Sequence, residues 1–344
     1  MSKDRIIYYD VLRIIAIFAV VFSHVSSQGI VDCFPSQEWV LRMVYDSFGR
    51  WSVPVFVMIS GALFLDISKK ITIKKLYSKN IFHIIYVFLF WSVIYAIYDG
   101  LYKNGLVGFV LGSIHGPFHF WFLKMLIGLY IIVPLLRMIT QDQKLELYFI
   151  LIAILTTFLI PLLFPIIGYF STEAKDFIQN YYNSLELNIA SGHVGYFVLG
   201  HYLSNYSLKP FVKNMIFIFG FISLIAVCLI TYFVSNYSGS FYEAFLNSLN
   251  IFTLLEATAV FVFIKNINFS TRYYSFIIRF SKATFGIYII HILLMHVVLD
   301  FWGIDSSLLN PVVFIPIYSV LVFVVSYTIV SVLMRIPIIK RFVL

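Results

Sequence analysis

The sequence of 344 residues has little charge and almost no cysteine. Asp, Glu, Lys and Arg make up only 12% of it, about half of the roughly 25% typical of soluble proteins, and 61% of the residues are hydrophobic. So few charged residues cannot cover a water-soluble body of this size, and the chain is far too apolar for a disordered protein. Its two cysteines, Cys33 and Cys228, exclude a disulfide framework. The composition therefore indicates a polytopic membrane protein.

The apolar residues form long segments that do not alternate with polar ones. A chain in hydrocarbon must satisfy its backbone groups internally, as helices or as a closed barrel, and barrel strands would alternate. We therefore predict an all-α transmembrane bundle, a single domain over residues 1–344. A span needs about 20 residues, and the sixth segment is the least apolar. By this length the sequence predicts ten spans, at residues 7–27, 51–66, 80–98, 119–137, 147–169, 190–205, 214–234, 247–264, 282–300 and 311–334.

The basic residues are distributed unequally between the two sides of these spans. Of the 24 Lys and Arg, four (Arg42, Arg50, Lys103 and Lys175) fall in loops on one side, Lys124 falls within a span, and nineteen lie on the side of the N-terminus. Because cytoplasmic loops carry the excess of basic residues, this distribution predicts that both termini are cytoplasmic. The net charge of +8 then follows from topology. We expect no nucleic-acid partner, since the chain has no soluble basic domain.

The first span carries three ionisable side chains, which are rare within membranes and are functional candidates by default. Asp10 and Arg13 are three residues apart and share a helix face. His24 follows eleven residues later, which returns it to within about 20° of that face. The three residues thus predict one polar stripe. The alternative is structural: Asp10 and Arg13 anchor the helix at the interface, and His24 bonds a neighbouring helix.

Further polar side chains in later spans are functional candidates as well. Trp121 also fits an interfacial belt position. Lys124 lies deep in its span, so its role depends on burial, with the alternative that its long side chain reaches the headgroups. Glu256, near the middle of its span, needs a proton or a partner, for which Lys124 or a histidine is available. The full set is His119, Trp121, Lys124, Glu256, Tyr288 and His291.

Several chemistries lack their sequence motifs. The chain has no H-E-x-x-H zinc motif, P-loop, G-x-G-x-x-G turn or G-x-S-x-G elbow, and its histidines are scattered, so we expect no metal. The stripe contains one desolvated histidine, His24, in polar surroundings. Such a group suits a general base that removes a proton from a hydroxyl, as in acyl transfer.

Four segments resemble the sequence pattern of acyltransferase family 3, whose members are bacterial integral-membrane acyltransferases, many of which O-acetylate surface polysaccharides. They occur in the order expected for that family and extend over nearly the whole chain. Because no hydrolase-like domain is appended to these segments, the chain resembles the stand-alone polysaccharide O-acyltransferase branch. The segments are Tyr8–His24, Ser52–Phe56 with Ser60-Gly61, His119–Leu123 and Ile287–His291.

The resemblance implies that His24 is the catalytic base and that Asp10 and Arg13 support the donor end of the site. It implies acyl-coenzyme A, usually acetyl-coenzyme A, as a cytoplasmic co-substrate. Family members commonly carry arginines in the first inner loop, where this chain has only lysines. Lysines attract phosphates as point charges. We therefore expect three of them to bind the donor, with the alternative that they only reflect topology: Lys74, Lys75 and Lys79.

The resemblance also implies a multi-pass protein of the bacterial inner membrane whose acceptor is a hydroxyl of a cell-envelope glycan or a lipid-linked sugar. For this reaction we expect the polar side chains of the later spans to bind the acceptor or stabilise the oxyanion. Direct transfer and a route through acylated His24 are both open. Two other functions compete. A transporter of a small polar solute or amino acid would use buried His, Lys and Glu as a relay, although no internal repeat is evident. The third possibility is a non-catalytic assembly or sensor protein.

Overall fold

The computed structural model describes residues 5–102, 105–190, 192–302 and 310–343, and every regular element within them is a helix. The prediction of an all-α bundle is thus confirmed. Lys103, counted above among the loop residues, lies outside the described ranges. Within the described part of the chain, nine helical segments are long and apolar enough to cross a membrane: Ile7–Ser27, Gln37–Phe64, Ile73–Tyr98, Val107–Ile139, Gln143–Phe170, Pro210–Ser238, Glu243–Lys265, Thr271–Val297 and Pro311–Leu333.

These nine segments correspond to nine of the ten predicted spans, and the sixth is the exception. There the chain forms a helix of only 12 residues, Val194–Asn205, which is shorter than the roughly 20 residues that a span requires. Most of this helix is buried among its neighbours. The structure thus leaves the tenth predicted crossing, and with it the cytoplasmic placement of both termini, as predictions.

The chain forms two compact units, and the first comprises residues 1–28, 70–134 and 269–344. Its helix α1 (Ile7–Ser27) packs against α14 (Tyr274–Trp302) and α15 (Pro311–Leu333), which also pack against each other. Helix α5 (Phe82–Tyr102) packs against α6 (Gly105–His115) and α16 (Lys340–Val343). Asn310 caps α15 by accepting a hydrogen bond from Val312 N, and Pro311 occupies the first turn. The helices of this unit are α1 (Ile7–Ser27), α4 (Ile73–Leu76), α5 (Phe82–Tyr102), α6 (Gly105–His115), α14 (Tyr274–Trp302), α15 (Pro311–Leu333) and α16 (Lys340–Val343).

The second unit comprises residues 29–69 and 135–268. Helix α7 (Trp121–Ile139) is divided between the two units after Pro134. Two π-helical turns connect neighbouring helices, Tyr77–Ile81 between α4 and α5 and Ile154–Leu159 between α8 and α9. The helices of the second unit are α2 (Gln37–Ser47), α3 (Ser52–Phe64), α8 (Gln143–Ala153), α9 (Ile160–Phe170), α10 (Thr172–Ser184), α11 (Val194–Asn205), α12 (Pro210–Ser238) and α13 (Ile251–Lys265).

Two glycines allow α3 and α11 to approach closely within the second unit. A Cβ atom on Gly61 would lie 1.7 Å from the carbonyl oxygen of Phe197, and one on Gly200 would lie 2.0 Å from that of Met58. Both positions therefore exclude any larger residue, since backbone atoms cannot yield by that much. The Ser60-Gly61 segment thus has a packing explanation.

Candidate active site

Asp10 is the centre of a polar cluster at the start of α1. It is buried, and Arg5 donates to both of its oxygens, from Nε and Nη2, each at 2.7 Å. Ser281 of α14 donates through Oγ at 2.6 Å, whereas the predicted partner Arg13 is more distant, with Nη1 at 3.4 Å. The hydrogen bond to Asp10 raises the pKa of the Arg5 guanidinium.

The predicted pairing of Asp10 with Arg13 is therefore present, but the bidentate partner is Arg5. Arg5 is not among the predicted site residues, because it precedes the first span. Ser281 is not among them either, because no spacing within α1 can reveal it. Since Arg5 neutralises much of the Asp10 charge, the Arg13 guanidinium, 31% exposed, has capacity left for a ligand.

At the other end of α1, His24 meets two histidines from distant parts of the chain. Its ring centroid lies 5.3 Å from that of His291 in α14, and the His291 centroid lies 5.4 Å from that of His119. His119 belongs to the 3₁₀ turn Phe118–Phe120 that precedes α7. The structure thus brings together three predicted site residues, here called the histidine cluster: His24, His119 and His291.

Backbone carbonyls define the hydrogen-bonding roles of two of these rings. The Nδ1 atom of His291 donates to the carbonyl oxygens of Tyr288, at 2.7 Å, and Ile287, at 3.1 Å. The Nε2 atom of His119 donates to Ile289 O at 3.4 Å. A neutral imidazole has one donor and one acceptor nitrogen, so the lone pairs lie on Nε2 of His291 and Nδ1 of His119.

These two acceptor nitrogens are buried and have no hydrogen-bond partner among the described residues. An unsatisfied buried polar atom costs about 1–3 kcal/mol, so two of them in one cluster call for an explanation. The chemistry that fits is a ligand that brings hydroxyl donors. The expected oxyanion role is less suitable for these two histidines, because in these tautomers neither ring has a second N–H to donate.

Two tyrosines hold the backbone around the cluster. The Tyr288 hydroxyl donates to the carbonyl oxygen of His119. The Tyr95 hydroxyl, on α5, donates to Ile289 O at 2.8 Å and accepts from Leu293 N at 3.0 Å. Tyr288 is therefore placed to position His119, since its proton is already donated. Tyr95 is a site residue that the sequence analysis missed, because nothing in the apolar run of α5 distinguishes it.

Trp121 and Lys124 occupy the exposed face of α7. Trp121 is 40% exposed, and the exposed Lys124 donates from Nζ to His115 O at 3.4 Å and lies 5.9 Å from the centroid of the Phe88 ring. The expected burial of Lys124 is therefore wrong, because the buried face of this helix carries Phe122 and Leu123 instead. Its predicted role in the site thus loses the observation on which it depended.

The three lysines of the first inner loop are also exposed. Lys74 and Lys75 lie on α4, and Lys79 lies in the π-helical turn that follows it. None of them forms an ion pair within the part of the chain that the structure describes. Their exposure fits both the donor-binding role and the purely topological one.

Glu256, the remaining predicted site residue, lies on α13 in the second unit. It is 6% exposed, and neither carboxyl oxygen has a hydrogen-bond partner among the described residues, so the partner expected for it is not found there. A second buried carboxyl in this unit differs. Glu146 accepts a hydrogen bond through Oε1 from Nδ1 of His201 at 2.7 Å. Nowhere in the described ranges do three or more His, Cys, Asp or Glu side chains form a metal-binding arrangement.

The chain matches one family model, described as an acyltransferase domain, over residues 6–331. This range covers essentially the whole chain, including Asp10, Arg13 and Ser281 and all three members of the histidine cluster; Arg5 lies one residue before the range, which ends before α16. Neither a curated protein nor a solved structure matches the chain.

Proposed function

The chain belongs to the acyltransferase family whose model it matches, and it is a multi-pass membrane protein. From this premise we propose that it transfers an acyl group, acetyl in the first instance, from cytoplasmic acyl-coenzyme A. The acceptor is a hydroxyl group of a cell-surface glycan or lipid-linked sugar. The observation that carries the proposal is the histidine cluster, with two buried acceptor nitrogens that suit a polyhydroxylated ligand.

In the proposed reaction the acceptor hydroxyl enters beside the three rings. His119 Nδ1 and His291 Nε2 accept hydrogen bonds from the sugar and orient it, while His24 takes the proton of the reacting hydroxyl. The oxygen attacks the thioester carbonyl, and the carbon–sulfur bond breaks. The imidazolium of His24 then returns the proton to the departing coenzyme A sulfur, so that the products are the ester and the free thiol.

The donor end of the proposal is the Asp10 cluster. Arg13 lies eleven residues before His24 on the same helix, about 16 Å along its axis. Because Arg5 and Ser281 already hydrogen-bond to Asp10, the Arg13 guanidinium is available to bind the donor.

Glu256 stays a predicted acceptor-binding residue, supported by its burial and its two unpartnered oxygens.

The test is His24→Ala in the purified protein, reconstituted in vesicles with labelled acetyl-coenzyme A. We expect acyl transfer to fall by about 10²- to 10⁴-fold, the usual contribution of a general base, with unchanged thermal unfolding. His296→Ala is the matched control, because His296 lies on the same helix as His291 but is exposed. Mass spectrometry of envelope glycans identifies the acceptor.

Two results would contradict the proposal. Transfer of label at the wild-type rate by the His24→Ala protein would remove His24 from the reaction. Solute uptake by the wild-type protein with neither thioester hydrolysis nor acyl transfer would favour the transporter.

A further inference from the structure

A groove of about 680 Å³ opens in the first unit, where the C-terminal segment lies against the beginning of α5. It is open on one side and lies outside the histidine cluster. Part of its lining follows residue 331, where the match to the family model ends. The C-terminal segment therefore forms most of the lining, and α5 contributes His83 and Tyr86. The lining residues are His83, Tyr86, Pro337, Lys340, Arg341 and Phe342.

The lining combines positive charge with aromatic rings. Lys340 and Arg341 are both exposed, and the lining includes no Asp or Glu. Arginine offers a planar fork that matches phosphate oxygens, and lysine adds a mobile point charge. Tyr86 is 62% exposed, so its ring face is available for stacking, which is worth about 1–3 kcal/mol for a nucleic-acid base. This chemistry fits a ligand that carries both phosphates and an aromatic base.

The C-terminal wall of the groove is fixed to α5. Trp91 donates from Nε1 to the carbonyl oxygen of Phe342 at 2.9 Å, and the Phe342 ring stacks on Phe90 with centroids 4.4 Å apart. These contacts hold α16, and with it Lys340 and Arg341, beside Tyr86. The groove is thus part of the packed structure of the unit.

Helix α5 connects the groove to the histidine cluster. At 1.5 Å per residue, His83 and Tyr86 lie about 18 Å and 14 Å along the axis from Tyr95. The Tyr95 ring centroid lies 5.4 Å from that of His119. Between its thiol sulfur and its first phosphorus, coenzyme A has about 13 bonds, which span about 15 Å at the reach of an extended chain. A thioester at the cluster therefore places the phosphates at the groove.

We propose that this groove binds the phosphorylated adenosine end of acyl-coenzyme A. Lys340 and Arg341 contact the phosphates, and Tyr86 stacks on the adenine. The inference rests on the proposed function, since it assumes that the donor is a coenzyme A thioester. It assigns the main phosphate contacts to the C-terminal segment and leaves the exposed lysines of the first inner loop a secondary role.

The test measures binding without catalysis, using adenosine 3′,5′-bisphosphate, which carries the adenine and two of the phosphates but no acyl group. The full-length protein is placed in phosphatidylcholine nanodiscs. We expect the double variant Lys340→Gln/Arg341→Gln to bind the probe at least about tenfold more weakly, as charge-assisted hydrogen bonds are lost. It should also lose the preference for coenzyme A over dephospho-coenzyme A. Tyr86→Leu should weaken the binding of the probe several-fold.

The matched control is Arg335→Gln, which removes an exposed positive charge from the same terminal segment but outside the groove. It should bind the probe as the wild type does. The inference is overturned if the wild-type protein does not bind the probe, or if the double variant and the control bind it equally. Phosphatidylglycerol nanodiscs test the other source of phosphate. A Lys340- and Arg341-dependent stabilisation by this lipid, without probe binding, would make the groove a headgroup site and overturn the inference.

Failure of the inference and failure of the proposed function have different signatures. If acyl transfer depends on His24 but the double variant keeps the wild-type KM for acyl-coenzyme A and the wild-type affinity for the probe, the groove alone is wrong. If the probe binds through Lys340 and Arg341 but no preparation hydrolyses or transfers a thioester, the groove stands and the acyltransferase proposal is wrong.

Discussion

The two units differ in how their buried ionisable side chains are paired. In the second unit most buried charges have a partner within the unit: His201 with Glu146 at 2.7 Å, Arg42 with Glu38 at 2.7 Å, and Arg50 with Asp46. In the first unit His119 and His291 each keep a buried nitrogen without a partner among the described residues. A paired buried group can be purely structural, whereas an unpaired one is costly. The difference separates histidines that hold the fold from histidines suited to chemistry.

Asp10 and Glu256 depart from this difference, and Glu146, although paired through Oε1, keeps Oε2 without a partner among the described residues. Asp10, in the first unit, is fully bonded by Arg5, Arg13 and Ser281, which is the pattern of a support rather than of a reacting group. Glu256, in the second, has two unpartnered oxygens. By the same reasoning it is the residue of that unit most suited to a ligand.

Among the tests of this comparison, the largest expected effect is on activity, from His291→Leu. The substitution removes a nitrogen whose lone pair is unpartnered and leaves an apolar side chain of similar size in a buried position. We expect acyl transfer to fall by about 10²-fold or more, the usual cost of losing a group that acts on a proton or orients its hydroxyl. Thermal unfolding in detergent should be unchanged or occur at a higher temperature. If the free energy of unfolding fell by as much as the free energy that corresponds to the lost activity, His291 would hold the fold, and the difference between the units would not stand.

The next effect is on stability, from the same substitution in the second unit, His201→Leu. It leaves Oε1 of the buried Glu146 carboxyl without its hydrogen-bond partner, which costs about 1–3 kcal/mol. Unfolding midpoints in denaturant should fall accordingly, while the activity per folded molecule stays near that of the wild type.

The double variant His201→Leu/Glu146→Leu is the control. Replacing both partners of a buried pair by apolar groups is often neutral, so most of the lost stability should return. If His201→Leu instead abolished transfer without loss of stability, the second unit would contain reacting groups as well.

Helix periodicity was sufficient to predict the pairing of Asp10 with Arg13, and hydropathy was sufficient to predict nine of the spans, because both depend on residues close in the sequence. It was not sufficient for the meeting of His24, His119 and His291, which depends on how distant helices pack. Lys124 shows the same limit. A charge within an apolar segment was expected to be buried, but only the packing of α7 decides which of its faces is covered.

The sixth predicted span differs from the other nine for a related reason. Hydropathy reports how apolar a segment is, whereas the close packing of the short α11 depends on Gly61 and Gly200 meeting backbone carbonyls across the helix interface. Arg5 was missed because it precedes the apolar segment, although a basic residue five positions before Asp10 is within reach of it.

The smallest expected effect comes from the exposed lysines of the first unit, tested as Lys74→Gln/Lys75→Gln/Lys79→Gln. Exposed charges contribute about 0.2–1 kcal/mol each and are screened by salt, so the KM for acyl-coenzyme A should rise only about two- to fivefold at low ionic strength. The effect should vanish at about 1 M salt, where the screening length is about 3 Å. Lys144→Gln, an exposed lysine of the second unit, should leave KM unchanged. A KM increase that persisted at high salt would mean that these side chains contact the donor directly, and that exposure is a poorer guide to function than the comparison of the two units implies.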